Sequence, residues 1–339
     1  KPLAAAAASR ALPAPAASPP ARTFTLKSAS TAFRSILWNI CRKYQSHMEF
    51  YRPYIDENEK KEMEPNNLVK AAKKFIDLCF TPETIGKEYL DEIPAGKKVI
   101  IATTHISDFD MPIAIAEMGD YFPNINVANK SNQFEFNGDP VMNIQRYLVG
   151  QEHYFRVEHR GKKGGGNEFG VFDPENFYPM KESLEDENTM IIAAQYDDQY
   201  HAKQKWALSD KPGNGAAYLH QITPDSIILP VAVNIKADPI GMGKMGSDVL
   251  RIVKREKPPV DVIIGKPLKL DKIDGIEIFN EIFEKRKKGE KLTIEEKQKF
   301  SEFKEKLQSQ SADLIKRLAD LLPKEKRGIW GDDNENIGK

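Results

Sequence analysis

Cysteine is nearly missing from this chain. Its 339 residues hold two, Cys41 and Cys79, without the spacing of a zinc site or of a disulfide framework. Each sits among apolar neighbours, as buried thiols do, and that usage fits a reducing compartment. Long apolar runs are missing too: none approaches the roughly 20 residues that cross a bilayer, so any work on lipid would be done from the membrane surface. Nor is there a surplus of charge. Fifty basic and fifty acidic residues give a formal net charge of zero, which removes the overall basic field that draws a protein to nucleic acid. Anion binding must come from local patches. Acid is absent from the first 48 residues, whose opening is rich in Ala, Ser and Pro with scattered Arg and Lys. Organelle transit peptides look like this, and so does a linker or a disordered tail. Residues 1–30 are read as such a leader or linker.

The chain as a whole, with 40% hydrophobic and 29% charged residues, is sufficient for a full core. From residue 31 to 90 the pattern is helical: "FRSILWNICRKYQSHMEFY" and "NNLVKAAKKFIDLCF" repeat apolar residues every three or four positions, and Asn66 or Asn67 is a suitable N-cap. From 91 to 330 the grammar changes. The runs "KKVIIATT", "NINVAN", "TMIIAAQY", "SIILPVAVN" and "VDVIIGKPL" read as strands, and "MPIAIAEMG", "DPVMNIQRYLVG" and "NGAAYLHQI" read as helices. Alternation of this kind predicts an α/β domain with a mixed, mostly parallel central sheet flanked by helices, followed by a C-terminal helical tail. "TIEE", Thr293 to Glu296, is a capping box opening the last helix, whose apolar face runs through Leu307, Leu314, Ile315, Leu318 and Leu321. The stretch from Gly161 to Asn188, with "GKKGGGNEFG", reads as a loop; its glycines lack the Gly-Lys-Ser/Thr of a phosphate loop.

One strand carries chemistry. "VIIATTHISDFDMP" ends an apolar run on His105 and sets Asp108 and Asp110 shortly after it. The strand delivers His105 to the carboxyl end of a sheet, where α/β proteins place ligands. Residues five apart on a continuous helix lie about 140° apart around its axis, so His105 and Asp110 can meet only across a turn. Pro112 suits the first turn of a helix starting near Met111. A carboxylate that accepts from one imidazole nitrogen leaves the other free to take a proton from a hydroxyl. The same residues also suit a polar loop after a buried strand.

His105-Ile106-Ser107-Asp108-Phe109-Asp110 matches the HX4D motif of the glycerolipid acyltransferases, and the resemblance extends over most of Val99 to Leu268. Thr104 stands where members usually have Asn. "YLVGQEHYFRVEHR" resembles the second block of that family, "NGAAYLHQITPDSIILPVAVN" the fourth, and "IIGKPLKL" its Gly-x-Pro strand. "LADLLPKEKRG" is similar to the ending of many bacterial members. The third block, usually Glu-Gly-Thr-Arg-Ser, falls on "AAQYDDQYHAKQKW" and lacks its arginine. That arginine holds substrate phosphate in the family, as a planar fork can. Arg156 and Arg160 of the second block, with Lys203 and Lys205 of the third, are the replacements for substrate binding, and Asp197 and Asp198 oppose them.

The resemblance implies an O-acyltransferase of phospholipid biosynthesis. His105 is the base, Asp110 its supporting carboxylate and Ser107 a substrate contact. The donor is acyl-CoA or acyl carrier protein, and the acceptor a glycerol phosphate or lysophospholipid, lysophosphatidate first. No cofactor or metal is required. The place of action is a membrane surface on its cytoplasmic face, with the "FRSILWNICRKY" helix as one docking element, or a plastid if the leader is a transit peptide. Two other readings stand beside it. Loss of the third block would suit an inactive lipid- or partner-binding protein of the same fold. Asp108 and Asp110, as "DFD", resemble the paired aspartates of haloacid-dehalogenase-type phosphatases or of some glycosyltransferases, where two carboxylates hold magnesium.

Overall fold

A computed structural model describes residues 65–107, 109–130, 153–157, 174–195, 206–236 and 256–331, without the side chains of Asn129, Lys130 and Arg156. The leader, the "FRSILWNICRKY" segment with Cys41, the "DPVMNIQRYLVG" helix and the "GKKGGGNEFG" string lie outside the described residues.

Helix α1, Asn67–Cys79, opens on Asn66, whose side chain accepts from the Val69 amide. Leu68, Val69, Ala72, Ile76 and Cys79 form its buried stripe at helical spacing. Strand β1 is Thr81–Ile85, β2 is Val99–Thr103 and α2 is Asp110–Met118. Then come β3, Ile125–Lys130, and β4, Tyr154–Val157. A 3-10 turn at Pro174–Phe177 leads into α3, Tyr178–Glu185. Strand β5, Thr189–Ala193, is followed by α4, Gly215–Ile222, and β6, Ile227–Ile235. Strand β7, Pro259–Ile264, precedes α5, Ile276–Lys287, and α6, Ile294–Leu321. Two 3-10 turns, Lys324–Lys326 and Gly328–Gly331, follow.

The strands form one seven-stranded sheet in the order β1-β7-β6-β2-β5-β3-β4. All neighbours are parallel except β6 and β7. The fold is therefore an α/β layer structure with a mixed, mostly parallel sheet, as the alternating pattern predicts. Side chains along β2 alternate between its faces. Val99 and Ile101 join α1 and α2 on one side, while Ile100 and Ala102 join α3 to α6 on the other. Both faces are covered, which is why β2 and β6 are buried along their whole length.

Three readings need correction. Within 31–90 the described residues hold a strand beside the helix: α1 packs on the α2 face and β1 pairs with β7. Strands β1 and β4 occupy the two sheet edges. "TPETI" is exposed at every other position and "YFRV" is four residues long, so neither carries the apolar run of an interior strand. The stretch from Gly161 to Asn188 ends in structure rather than loop. Helix α3 there buries Met180, Ser183 and Leu184 in two turns of otherwise polar sequence. The capping box at Thr293 and Glu296 is in place, and Leu307, Leu314, Ile315 and Leu318 pack in the core beneath α6.

Crossovers leave the sheet in opposite directions at its centre. From β2 the chain passes through α2 to β3, beyond β5; from β5 it passes through α4 back across β2 to β6. The carboxyl ends of β2 and β5 therefore flank a topological switch point, the crevice where doubly wound sheets hold their ligands.

Candidate active site

Residues 104–110 join β2 to α2 in a turn that is held by its own polar groups and by bonds to the neighbouring strand ends. Thr104 is fully buried. Its amide donates to the Val231 carbonyl at 3.3 Å, its hydroxyl accepts from the Val233 amide at 3.0 Å and donates to Asp110 Oδ2 at 3.2 Å. One hydroxyl thus ties the turn both to β6 and to the start of α2. Asp110 Oδ2 also accepts from the Ile106 amide at 2.8 Å, and the Asp110 amide donates to the Ser107 carbonyl at 3.2 Å. Phe109 inserts its ring among Phe75 and Phe80, with centroids 6.1 and 5.3 Å away. The turn is pinned from below by aromatic packing and from within by a carboxylate.

His105 stands at the crest of this turn, part-exposed, with Nδ1 buried. Its backbone carbonyl accepts from Gln195 Nε2 at 2.7 Å. Gln195 is the first residue of the departed third block to follow Ala194 beyond β5, and it is 5% exposed. The ends of β2 and β5 are further joined by the Ala194 amide donating to the Thr103 carbonyl at 2.9 Å, and the Gly213 amide donates to the Ala194 carbonyl at 2.7 Å. A Cβ at Gly213 would lie 2.9 Å from the Gln195 backbone. Only glycine lets that return loop lie so close to the strand end.

Burial raises Asp110, which is 1% exposed, to about 7. The Ile106 and Ser107 amides, the Lys326 ammonium and the Thr104 hydroxyl act in the other direction, each favouring the charged form. The carboxylate therefore titrates near neutrality, in the range where an imidazole also does.

The residues expected at this site are distributed as follows. His105 and Asp110 share the β2–α2 turn, but the carboxylate bonds seen at Asp110 Oδ2 run to Thr104 and Ile106, so its first task is to shape the turn that presents the imidazole. Ser107, expected as a substrate contact, is 6% exposed, and its Oγ accepts from the Phe109 amide at 3.1 Å. Arg156 lies in β4 with no side chain described; Arg160, Lys203, Lys205, Asp197, Asp198 and Asp108 are outside the described residues. The magnesium reading needs an open Asp110, whereas its Oδ2 is already engaged twice and sealed. Among the described residues no group of three His, Cys, Asp or Glu could hold a metal ion.

Thr104, Gln195, Phe109 and Lys326 were not expected here. Gln195 had a faint signal, since it falls one residue past the end of a buried strand. Lys326 had none, being far away in sequence and brought in by tertiary structure. Cys79 behaves as its neighbours imply: it is buried, and burial pushes its thiol up to about 11. No helix among the described residues is long and apolar enough to cross a membrane.

No protein-family model matches the chain, and no curated protein matches it. Among solved structures, it is similar to that of the 1-acyl-sn-glycerophosphate (LPA) acyltransferase PlsC from Thermotoga maritima, at 15% identity and a TM-score of 0.42, over 78% of this chain and 95% of that one.

Proposed function

We propose that this protein is an O-acyltransferase that moves a fatty acyl group from a thioester donor to the hydroxyl of a glycerol phosphate or lysophospholipid. The observation that carries the reading is the placement of a part-exposed His105 at the switch point of the sheet, on a turn built around the buried Asp110 of an HX4D string. The order of the other blocks along Val99 to Leu268 supports it.

In this reading the imidazole edge opposite the buried Nδ1 takes the proton of the acceptor hydroxyl. The oxygen attacks the thioester carbonyl, a C–O bond forms, and the tetrahedral intermediate collapses as the C–S bond breaks. His105 returns the proton to the departing sulfur, giving an ester and a free thiol. Asp110 supports the imidazolium that forms in between, and its charge matters more in a water-poor crevice than it would in solvent. Acyl-CoA or acyl carrier protein serves as donor, lysophosphatidate is the favoured acceptor, and no cofactor takes part. The place of action is a membrane surface, approached from the cytoplasmic face, or within a plastid if the leader directs it there.

The missing third-block arginine favours one alternative, a protein that keeps the fold and binds lipid without catalysis. A single panel decides between them: radiolabelled acyl-CoA and acyl carrier protein donors with glycerol 3-phosphate and lysophosphatidate acceptors, for the full chain and for His105→Ala. The expected result is transfer that falls on the order of a hundred to ten thousand fold in the variant. Equal inactivity of both proteins across the panel would replace catalysis with binding.

A further inference from the structure

The C-terminal 3-10 turns are clamped onto the edge of the site. The Leu208 amide donates to the Lys326 carbonyl at 2.9 Å, and the Trp330 indole N–H donates to the Ser209 carbonyl at 2.8 Å. Arg327 Nε donates back to the Leu322 carbonyl at 2.8 Å. Gly328 sits at φ +59°, and a Cβ there would lie 2.7 Å from the Leu208 carbonyl oxygen, so the close approach and the left-handed backbone both call for glycine. This clamp presents Lys326 to the end of β6, where its Nζ donates to the Ile235 carbonyl at 2.7 Å.

The end of β6 is the strand that carries the turn. Val231 and Val233 hold Thr104, Thr104 holds Asp110, and Ile235 lies two residues beyond Val233. An ammonium anchored at Ile235 is thus on the same hydrogen-bonded frame as the buried carboxylate, which feels its charge. We infer that Lys326 is a positioning residue: from the C-terminal segment it favours the charged form of Asp110, and through Asp110 it steadies the turn that presents the His105 ring. The inference rests on the roles assigned to His105 and Asp110 above.

The Ile106 and Ser107 amides and the Thr104 hydroxyl also favour the charged form of Asp110, and Lys326 adds a full charge beside them. His105 and Asp108 belong to the same turn, the latter outside the described residues. On the α1 side the neighbours of the turn are the rings of Phe75 and Phe80 and the Cys79 thiol, which is neutral at physiological pH. Farther along α2, Glu117 accepts from Thr84, and at the β6–β7 edge Lys236 pairs with Asp261.

The test uses the full chain labelled with carboxyl-¹³C aspartate, the Asp110 signal being identified by its loss in Asp110→Asn. In Lys326→Met the Asp110 titration midpoint moves up by roughly one pH unit, the size expected on losing a nearby opposite charge. Lys326→Arg restores most of it. Lys326→Gln reads the same quantity should the methionine variant fail to fold. A midpoint that stays in place in the neutral variants overturns the inference. So does one that moves equally in Lys326→Arg, which would mean packing rather than charge. In acyl transfer the rising limb of kcat/KM against pH follows the same order. Because the titration needs no turnover, a wild type inactive on every acyl acceptor would overturn the proposed reaction and leave the Lys326–Asp110 coupling to be judged separately.

Discussion

Asp110 shapes its turn, the proposed reaction gives it a second task, and its charge state links the two. As a carboxylate it accepts from the Ile106 amide and the Thr104 hydroxyl; burial nevertheless holds its titration near 7. A group raised from the ordinary value of 3.8 keeps its proton in the folded state while the unfolded chain has lost it. This contribution to stability is therefore full below about 4 and is lost as pH rises toward 7. Activity runs the opposite way, because only the charged form supports an imidazolium. We expect kcat/KM for acyl transfer to rise as pH passes through about 7, and a pH series on wild type and Asp110→Asn checks it. In Asp110→Asn the rate should fall and the limb should become less steep, since the asparagine does not titrate and only the base is left to do so. His105 and the aspartate spacing were legible in the sequence as a motif, and so was the need for a turn between them. The donors that serve Asp110 were not: Thr104 was visible only as a departure from asparagine, and backbone amides have no signature in residue identity.

At the scale of single elements, α4 contains a buried histidine. His220 Nε2 lies 3.2 Å from the Leu270 amide and 3.3 Å from the Leu270 carbonyl, and Nδ1 lies 3.0 Å from Ser226 Oγ. Thr223 shares the same hydroxyl at 3.2 Å. Burial holds His220 below its usual value of 6.5, and the Leu270 backbone opposes that shift. Here the unfolded state binds the extra proton, so stability is full above about 6.5 and falls as pH drops below it. Thermal melts of wild type and His220→Gln between pH 7 and 5 should converge on acidification, and subtracting one series from the other cancels the opposing titration of Asp110. A constant gap across that range would show that His220 does not titrate there. Periodicity and capping made the long elements readable: Asn66 caps α1, and Thr293 with Glu296 caps α6. The two edge strands and α3 were not readable, because an element with one face in solvent, or only two turns long, lacks enough apolar positions to set a period.

Across the whole molecule, the two cores are joined by the sheet, while the C-terminal segment lies at the rim of the site. Phe279 stacks on Phe300 and Phe303 at 4.9 and 4.5 Å, tying α5 to α6 deep in one core. Residues 324–331 bond to Leu208, Ser209 and Ile235, and of their side chains Trp330 packs on the margin of that core. A chain ending at Leu322 should therefore lose acyl transfer by roughly a hundredfold, the scale of a displaced catalytic geometry, with a smaller loss of thermal stability. Comparing kcat/KM with the melting temperature of the truncated chain checks this. A melting temperature that collapses together with activity would instead make the segment part of the core.

The sequence alone determined the α/β class, the interior strands, the long capped helices and the position of the His105–Asp110 string after a buried strand, because periodicity, capping and chain order are local properties. Tertiary structure alone decided which strand ends meet at the switch point, that Ser107 faces inward, and that Gln195 reaches the His105 carbonyl and Lys326 the end of β6. These depend on contacts between residues such as His105 and Gln195, or Lys326 and Ile235, that lie about 90 apart in the chain. No local pattern encodes such pairings; packing both faces of one sheet creates them.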